Sequence, residues 1–193
     1  MLENLKKFNI ILASNSPRRK HLLAELGVDY VVRTLPDVDE SYPDNLRAEA
    51  IPEYISRTKA GAYQHLMQPD ELVITADTIV WLDEKVLGKP ANAEEAREML
   101  RTLSGRTHEV FTGVTLTTCS WQRTFTAATE VTFATLTDEE IAYYVDTHSP
   151  LDKAGAYGIQ EWIGFIGVKA ISGSYFNVMG LPIQKLYQEL VKL

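Results

Sequence analysis

Ser14-Asn15-Ser16-Pro17-Arg18-Arg19-Lys20 places three cations at a predicted helix start, directly behind an apolar strand formed by Ile10, Ile11, Leu12 and Ala13. Ser16 can cap that helix through its hydroxyl, and Pro17 suits its first position. A helix N-terminus already carries partial positive charge and unsatisfied N–H groups, so Arg18, Arg19 and Lys20 sit against the local preference. An anion resolves the conflict. Backbone amides, hydroxyls and guanidinium groups converging behind a strand suit a phosphate chain. The plainer alternative pairs one arginine with a surface acid and leaves the others solvated. His21 lies in the same basic turn and is expected to be exposed.

A second signal is the β-prone run Val73-Ile74-Thr75-Ala76-Asp77-Thr78-Ile79-Val80-Trp81, which carries one carboxylate in its middle. Burying an unpaired charge costs roughly several kcal/mol, so Asp77 needs a cation, a metal or several donors beside it. The alternative is an aspartate at a strand end facing solvent. In a regular strand Asp77 and Thr78 point to opposite faces, so both can line one site only at a bulge or strand end.

The third segment, Ser149-Pro150-Leu151-Asp152-Lys153-Ala154-Gly155-Ala156-Tyr157-Gly158-Ile159-Gln160, brackets small residues with glycines that permit close backbone approach. Asp152 and Lys153 could equally pair across a turn, and Gln160 could be solvated. Lys59 on a helix and Lys89 beside Pro90 read as ordinary surface lysines on their own. The chain lacks a Gly-x-x-x-x-Gly-Lys-Ser/Thr loop, a Gly-x-Gly-x-x-Gly turn and a His-Glu-x-x-His helix, and its four histidines show no ligand spacing.

These segments need a scaffold. With 193 residues, 45% of them hydrophobic, the chain can bury one substantial core, as a single domain over residues 1–193 with a second lobe at about 93–145. The predicted elements are strand 9–13, helix 17–26, strand 29–34, a loop at 36–45, a helix at about 52–66 and strand 72–82. A hairpin at Asp83-Glu84-Lys85 follows, then helix 93–103 ending at Gly105, and strands near 107–118 and 124–135 that read as an antiparallel pair. Helix 138–146, capped at Thr137, leads through a glycine-rich stretch at 155–180 to a final helix at about 182–191. The class is α/β with a mixed sheet.

A formal net charge of −7 argues against general binding to nucleic acid or an anionic membrane. The single cysteine, Cys119, excludes an internal disulfide and a cysteine-based zinc site and reads as a small buried thiol. The apolar run after Lys6 and Lys7 is too short for a signal-peptide core, and no span approaches membrane length, so a cytoplasmic protein is expected. A homodimer is compatible with a strand-rich chain, but no seam is marked.

Taken together and in order, the motifs resemble the Maf family of nucleoside triphosphate pyrophosphatases over nearly the whole chain, residues 11 to 187. They are Ala13-Ser14-Asn15-Ser16-Pro17-Arg18-Arg19, Ala76-Asp77-Thr78-Ile79-Val80, Gly88-Lys89-Pro90, Leu103-Ser104-Gly105-Arg106-Thr107-His108, the segment from Asp152 to Gln160, and Gly173-Ser174-Tyr175-Phe176-Asn177-Val178-Met179-Gly180-Leu181-Pro182. The resemblance implies an elongated mixed sheet flanked by helices, two lobes with a central cleft, and hydrolysis of a nucleotide between its α and β phosphates. Asp77 matches the family's proton acceptor. Ser14, Arg19, Glu40, Lys59, Lys89 and Asp152 match positions around the phosphates and metal, with Glu40, Asp77 and Asp152 implied for a divalent cation, Mg²⁺ or Mn²⁺. Arg18, Thr78 and Gln160 look like the subgroup acting on dTTP and UTP, whereas the 7-methyl-GTP subgroup carries Trp, Gln and Glu there.

Gln160 presents a donor and an acceptor, matching the adjacent carbonyl and N–H of a uracil or thymine ring. The two bases differ by one methyl group, worth about 1–3 kcal/mol in an apolar pocket, so one enzyme accepting both is reasonable. One departure from the family pattern is Glu161-Trp162-Ile163-Gly164, in place of a glycine-rich continuation; Trp162 is expected to cover the base or extend a strand. The competing expectations are a non-catalytic nucleotide sensor controlling septum formation and a pyrophosphatase for non-standard purine nucleotides.

Overall fold

The structure is a computed structural model and describes residues 2–193. Among these residues seven strands form one sheet: β1 (Asn9–Leu12), β2 (Val31–Val32), β3 (Glu71–Leu82), β4 (Lys85–Leu87), β5 (Thr107–Thr117), β6 (Gln122–Phe133) and β7 (Val168–Ser172). Their order is β2-β1-β3-β5-β6-β7, with β4 paired to β3 off this path. β1 runs parallel to both β2 and β3, whereas β4 on β3 and β7 on β6 are antiparallel, so the sheet is mixed as expected. β5 and β6 form the predicted hairpin. Side-chain bonds from Thr115 to Thr124 (3.0 Å) and from Gln122 to Thr117 (3.2 Å) step in opposite directions along the two strands.

Among the described residues seven α-helices accompany the sheet: α1 (Pro17–Glu25), α2 (Ala50–Tyr63), α3 (Ala93–Leu103), α4 (Asp138–His148), α5 (Trp162–Gly167), α6 (Tyr175–Val178) and α7 (Ile183–Val191). Both predicted N-caps are present. Ser16 accepts from the Arg19 N–H with Pro17 at the first position, and Thr137 forms a full capping box with Glu140. The turn between β3 and β4 holds Asp83 and Glu84 at φ of 51° and 60°, the left-handed pair that a two-residue hairpin requires.

Four expectations are corrected. The strand at 29–34 shrinks to the two exposed residues of β2, since Val31 and Val32 pair only with β1 and bury no face. The glycine-rich stretch at 155–180 contains α5, β7 and α6. Trp162 therefore starts a helix instead of extending a strand, and its ring meets Tyr143 at 4.8 Å. Cys119 is exposed, because it falls in the turn between β5 and β6 and not within a strand.

The chain divides into two compact units. One comprises the residues up to Asp77 together with Thr112–Ala127 and Gly180–Leu193; the other comprises Thr78–Phe111 and Ala128–Met179. In the first, Ile11, Tyr63 and Val73 pack with Ala13, Leu35 and Met67. α2 presses so closely on β5 that a Cβ at Gly113 would lie 2.4 Å from the Pro52 carbonyl oxygen, and only glycine fits. Buried hydroxyls fix this contact: Thr75 Oγ1 donates to Ser56 O at 2.7 Å, and Ser56 Oγ meets Thr115 Oγ1 at 3.0 Å.

The second unit has its own core, in which Leu100, Leu103, Phe133, Ile141, Tyr144 and Ile163 are buried. At Gly155 (φ 67°) an added Cβ would lie 2.9 Å from Val80, so this turn admits only glycine. His108 lies against Phe133 and Tyr157 with ring centroids 5.3 and 5.4 Å away, and its Nε2 shares a 2.7 Å hydrogen bond with the Tyr157 hydroxyl.

Burial lowers the His108 imidazole from 6.5 to about 4. The folded value lies below the unfolded one, so the unfolded chain binds more protons between them. The stability this contributes, about 3 kcal/mol, is complete above about pH 6.5 and is lost as pH falls toward about 4. Urea unfolding at about pH 7 and pH 5 should show a shallower acid loss for His108→Gln than for the parent; equal slopes would remove His108 as the cause.

Candidate active site

The helix–strand contact that buries Ser56 and Thr75 continues into charge. Lys59 lies three residues beyond Ser56 on the same face of α2, and Asp77 lies two beyond Thr75 on the same face of β3. Lys59 Nζ donates to Asp77 Oδ1 at 2.8 Å and sits 3.0 Å from Glu40 Oε1. Asp77 is only 9% exposed, so the cation demanded by a carboxylate inside an apolar strand is present. β3 runs through Asp77 and Thr78 without interruption, and neither residue is at a strand end.

Arg19 reaches this strand from α1. Its Nη1 donates to the carbonyl of Ala76 at 2.9 Å, the residue before Asp77, and to Ser14 Oγ at 3.4 Å; its Nε donates to Gly180 O at 2.8 Å. Burial lowers the Arg19 guanidinium below its ordinary value, while the Asp77 charge acts in the opposite direction and Arg18 adds to the lowering. Ser14 is buried and its hydroxyl accepts from the Ser16 N–H at 3.2 Å. The structure thus joins Ser14, Arg19, Glu40, Lys59 and Asp77. Part of the answer to the crowded cations of α1 is protein carbonyl oxygen.

The second unit holds Thr78, Lys89, Asp152 and Gln160. Lys89 is exposed, and the Gly155 N–H donates to Gly88 O at 3.0 Å, setting the Lys89 loop beside the turn that begins at Asp152. Asp152 takes the pairing expected of a turn, with its Oδ1 2.6 Å from Lys153 Nζ. Gln160 Oε1 is buried and has no hydrogen-bond partner among the described residues.

Reasoning from residue types missed Lys153, Tyr144 and Glu161 as a group. Lys153 is 8% exposed and its Nζ lies 3.2 Å from Glu161 Oε1, while the buried Tyr144 hydroxyl donates to Glu161 Oε2 and accepts from the Gly158 N–H at 3.0 Å. Burial first, and then the bond to Glu161, raise the Tyr144 hydroxyl above the ordinary tyrosine value, so it remains a donor. Lys153 and Glu161 lie within the segments that the sequence singles out, but Tyr144 looks like any aromatic on an apolar helix face.

Among the described residues no three His, Cys, Asp or Glu side chains converge as a self-sufficient metal cage. Glu40 and Asp77 nevertheless bring carboxylate oxygens within 3.0 Å of one ammonium. Two hard oxygens fit a cation such as Mg²⁺, which completes its shell with water and substrate phosphates. No helix among the described residues is long and apolar enough to cross a membrane.

Residues 9–193 match the family model described as Maf-like protein. A relative from Bacteroides thetaiotaomicron named dTTP/UTP pyrophosphatase is 71% identical over 100% of both chains. Another of the same name, from Porphyromonas gingivalis, is 53% identical and covers 98% of this chain and 96% of its own. A HAM1 protein from Coxiella burnetii shares the fold at 16% identity, with a TM-score of 0.50 over 96% of this chain and 100% of its own.

Proposed function

The chain belongs to the Maf family, and on that premise we propose that it hydrolyses dTTP and UTP to the monophosphate and pyrophosphate. The observation that carries this reading is the joined set of Arg19, Lys59, Glu40 and Asp77 in a chain 71% identical, end to end, to a dTTP/UTP pyrophosphatase. The full-length likeness favours the enzyme over the nucleotide sensor and over a purine-specific pyrophosphatase.

Attack on the α phosphorus requires an oriented water, an acceptor for its proton and compensation of charge on the departing pyrophosphate. We assign proton acceptance to the Asp77 carboxylate, which Lys59 holds at 2.8 Å. Lys59 offsets its charge and limits its rotation. Arg19 fixes the carbonyl of Ala76 and so the backbone from which Asp77 projects. Ser14, Arg18, Arg19 and Lys59 supply donors and positive charge for phosphate oxygens. Glu40 and Asp77 would hold a divalent cation, Mg²⁺ or Mn²⁺, which when bound neutralises phosphate charge. Asp152 as a metal residue and Lys89 as a phosphate cation follow from their motifs, and Thr78 as a substrate contact follows from its motif alone, since within an uninterrupted β3 its side chain and that of Asp77 face opposite ways. The substrate is free nucleotide, in keeping with the net charge of −7, and its work belongs in the cytoplasm.

Gln160 is our candidate for reading the pyrimidine edge. Gln160→Glu replaces a donor with a carboxylate that repels the ring carbonyl, and kcat/KM for UTP should fall roughly ten- to hundredfold. Unchanged selectivity over a nucleotide panel would detach Gln160 from the base. The reaction itself is tested by pyrophosphate release from dTTP, UTP, ATP, GTP and ITP with Mg²⁺ or Mn²⁺. Turnover of dTTP and UTP above the purines is expected, and binding without turnover would favour the sensor.

A further inference from the structure

Glu161 is the acidic residue where the chain departs from the family's glycine-rich pattern, and nothing in the reaction above uses it. Its carboxylate is nevertheless engaged on both oxygens. Oε1 lies 3.2 Å from Lys153 Nζ, and Oε2 accepts from the hydroxyl of Tyr144, which is fully buried. The same hydroxyl accepts from the Gly158 N–H at 3.0 Å, and Lys153 Nζ continues to Asp152 Oδ1 at 2.6 Å. One carboxylate therefore ties α4, through Tyr144, to both ends of the turn that carries Asp152 and Gln160.

The packing is tight at the place where this matters. A Cβ on Gly158 would lie 2.8 Å from Glu161 Cδ and 3.0 Å from Gln160 Nε2, so the two side chains share the space that glycine leaves open. Gln160 Oε1 is buried with no partner among the described residues, an unmet acceptor whose cost is recovered when a ligand N–H arrives. An amide held in that state needs neighbours that prevent it from turning to a protein donor or to solvent.

We propose that Glu161 is a positioning residue for base selection: bound to Tyr144 and Lys153, it fixes the 152–160 turn and holds the Gln160 amide ready for a pyrimidine ring. The inference rests on the reading of Gln160 as the base-selecting residue. Glu161 itself touches no substrate. Its loss should therefore appear in KM and selectivity, with the chemical step spared.

The test compares Glu161→Ala, Glu161→Gln, Tyr144→Phe and Gln160→Ala by steady-state kinetics on UTP and ATP, with a thermal melt for each. Glu161→Ala and Tyr144→Phe should each raise KM for UTP about tenfold, the effect of one ordinary lost hydrogen bond, and reduce the preference for UTP over ATP by a similar factor, with kcat within about twofold. Glu161→Gln, which keeps an acceptor for Tyr144, should recover most of the selectivity. If Glu161→Ala does not fold, Tyr144→Phe and Glu161→Gln decide, since both preserve side-chain volume. Selectivity lost in Gln160→Ala but kept in the Glu161 and Tyr144 variants would overturn this inference alone. Unchanged selectivity in Gln160→Ala would overturn the reading of Gln160 and this inference with it. A fall in kcat at constant selectivity in Glu161→Ala would also refute the positioning role.

Discussion

Asp77→Asn lowers kcat by about 10²- to 10⁴-fold, the span that a positioned general base contributes, while folding and nucleotide affinity survive. The substitution is nearly isosteric. An amide oxygen can still accept from Lys59, whose ammonium retains its contact with Glu40 at 3.0 Å. What disappears is the ability to take a proton. The amide keeps one oxygen for the cation that Glu40 and Asp77 would hold, and the loss of negative charge beside the phosphates offsets its weaker grip on that cation, so KM should change little. Single-turnover kinetics on UTP, with a binding titration under the same conditions, separates the two effects. Near-normal turnover would take Asp77 out of the mechanism.

The second large effect is on stability. Lys59 and Asp77 have side chains 15% and 13% exposed, and removing one partner of such a pair leaves the other charge poorly compensated. Lys59→Met should cost about 3 kcal/mol of folding free energy, the low end for breaking a buried pair. Urea denaturation at neutral pH measures it directly. The double variant Lys59→Met with Asp77→Asn should lose clearly less than the sum of the two single losses, because it leaves no buried orphaned charge, Glu40 being exposed to water. Strict additivity would mean that the pair does not interact in solution. Activity in Lys59→Met should also fall, since the same ammonium orients Asp77.

The charge environment of Asp77 was legible in the sequence because it follows from a local argument: a carboxylate inside an apolar β-run needs a counter-charge wherever that comes from. That Lys59 supplies it was not legible: the family likeness set Lys59 among the phosphate and metal positions, and α2 meets β3 by way of Ser56, Thr75 and Thr115, residues distant along the chain. The first helix was equally readable, because a Ser cap and a Pro at the first position act within one turn. Arg19 illustrates the limit. Its residue type fits a phosphate, yet three of its hydrogen bonds go to Ala76, Gly180 and Ser14.

Elements hidden in the glycine-rich stretch were missed for a related reason. α5 and β7 are short, at 6 and 5 residues, and neither runs long enough to establish a period. α2 begins at Ala50, ahead of the expected start, because Pro52 sits in the first turn, where its missing N–H costs nothing. The group formed by Tyr144, Lys153 and Glu161 was invisible for want of spacing. Tyr144 and Glu161 are 17 residues apart, one within α4 and the other at the N-cap of α5, so only tertiary structure brings the hydroxyl to the carboxylate.

The central claim is that water, deprotonated by Asp77, attacks the α phosphorus of a pyrimidine nucleoside triphosphate. Hydrolysis of UTP in water enriched in the heavy isotope of oxygen, with both products weighed by mass spectrometry, tests it most directly. The label should enter UMP and leave pyrophosphate light. Label in pyrophosphate, or release of orthophosphate as the first product, would contradict the account.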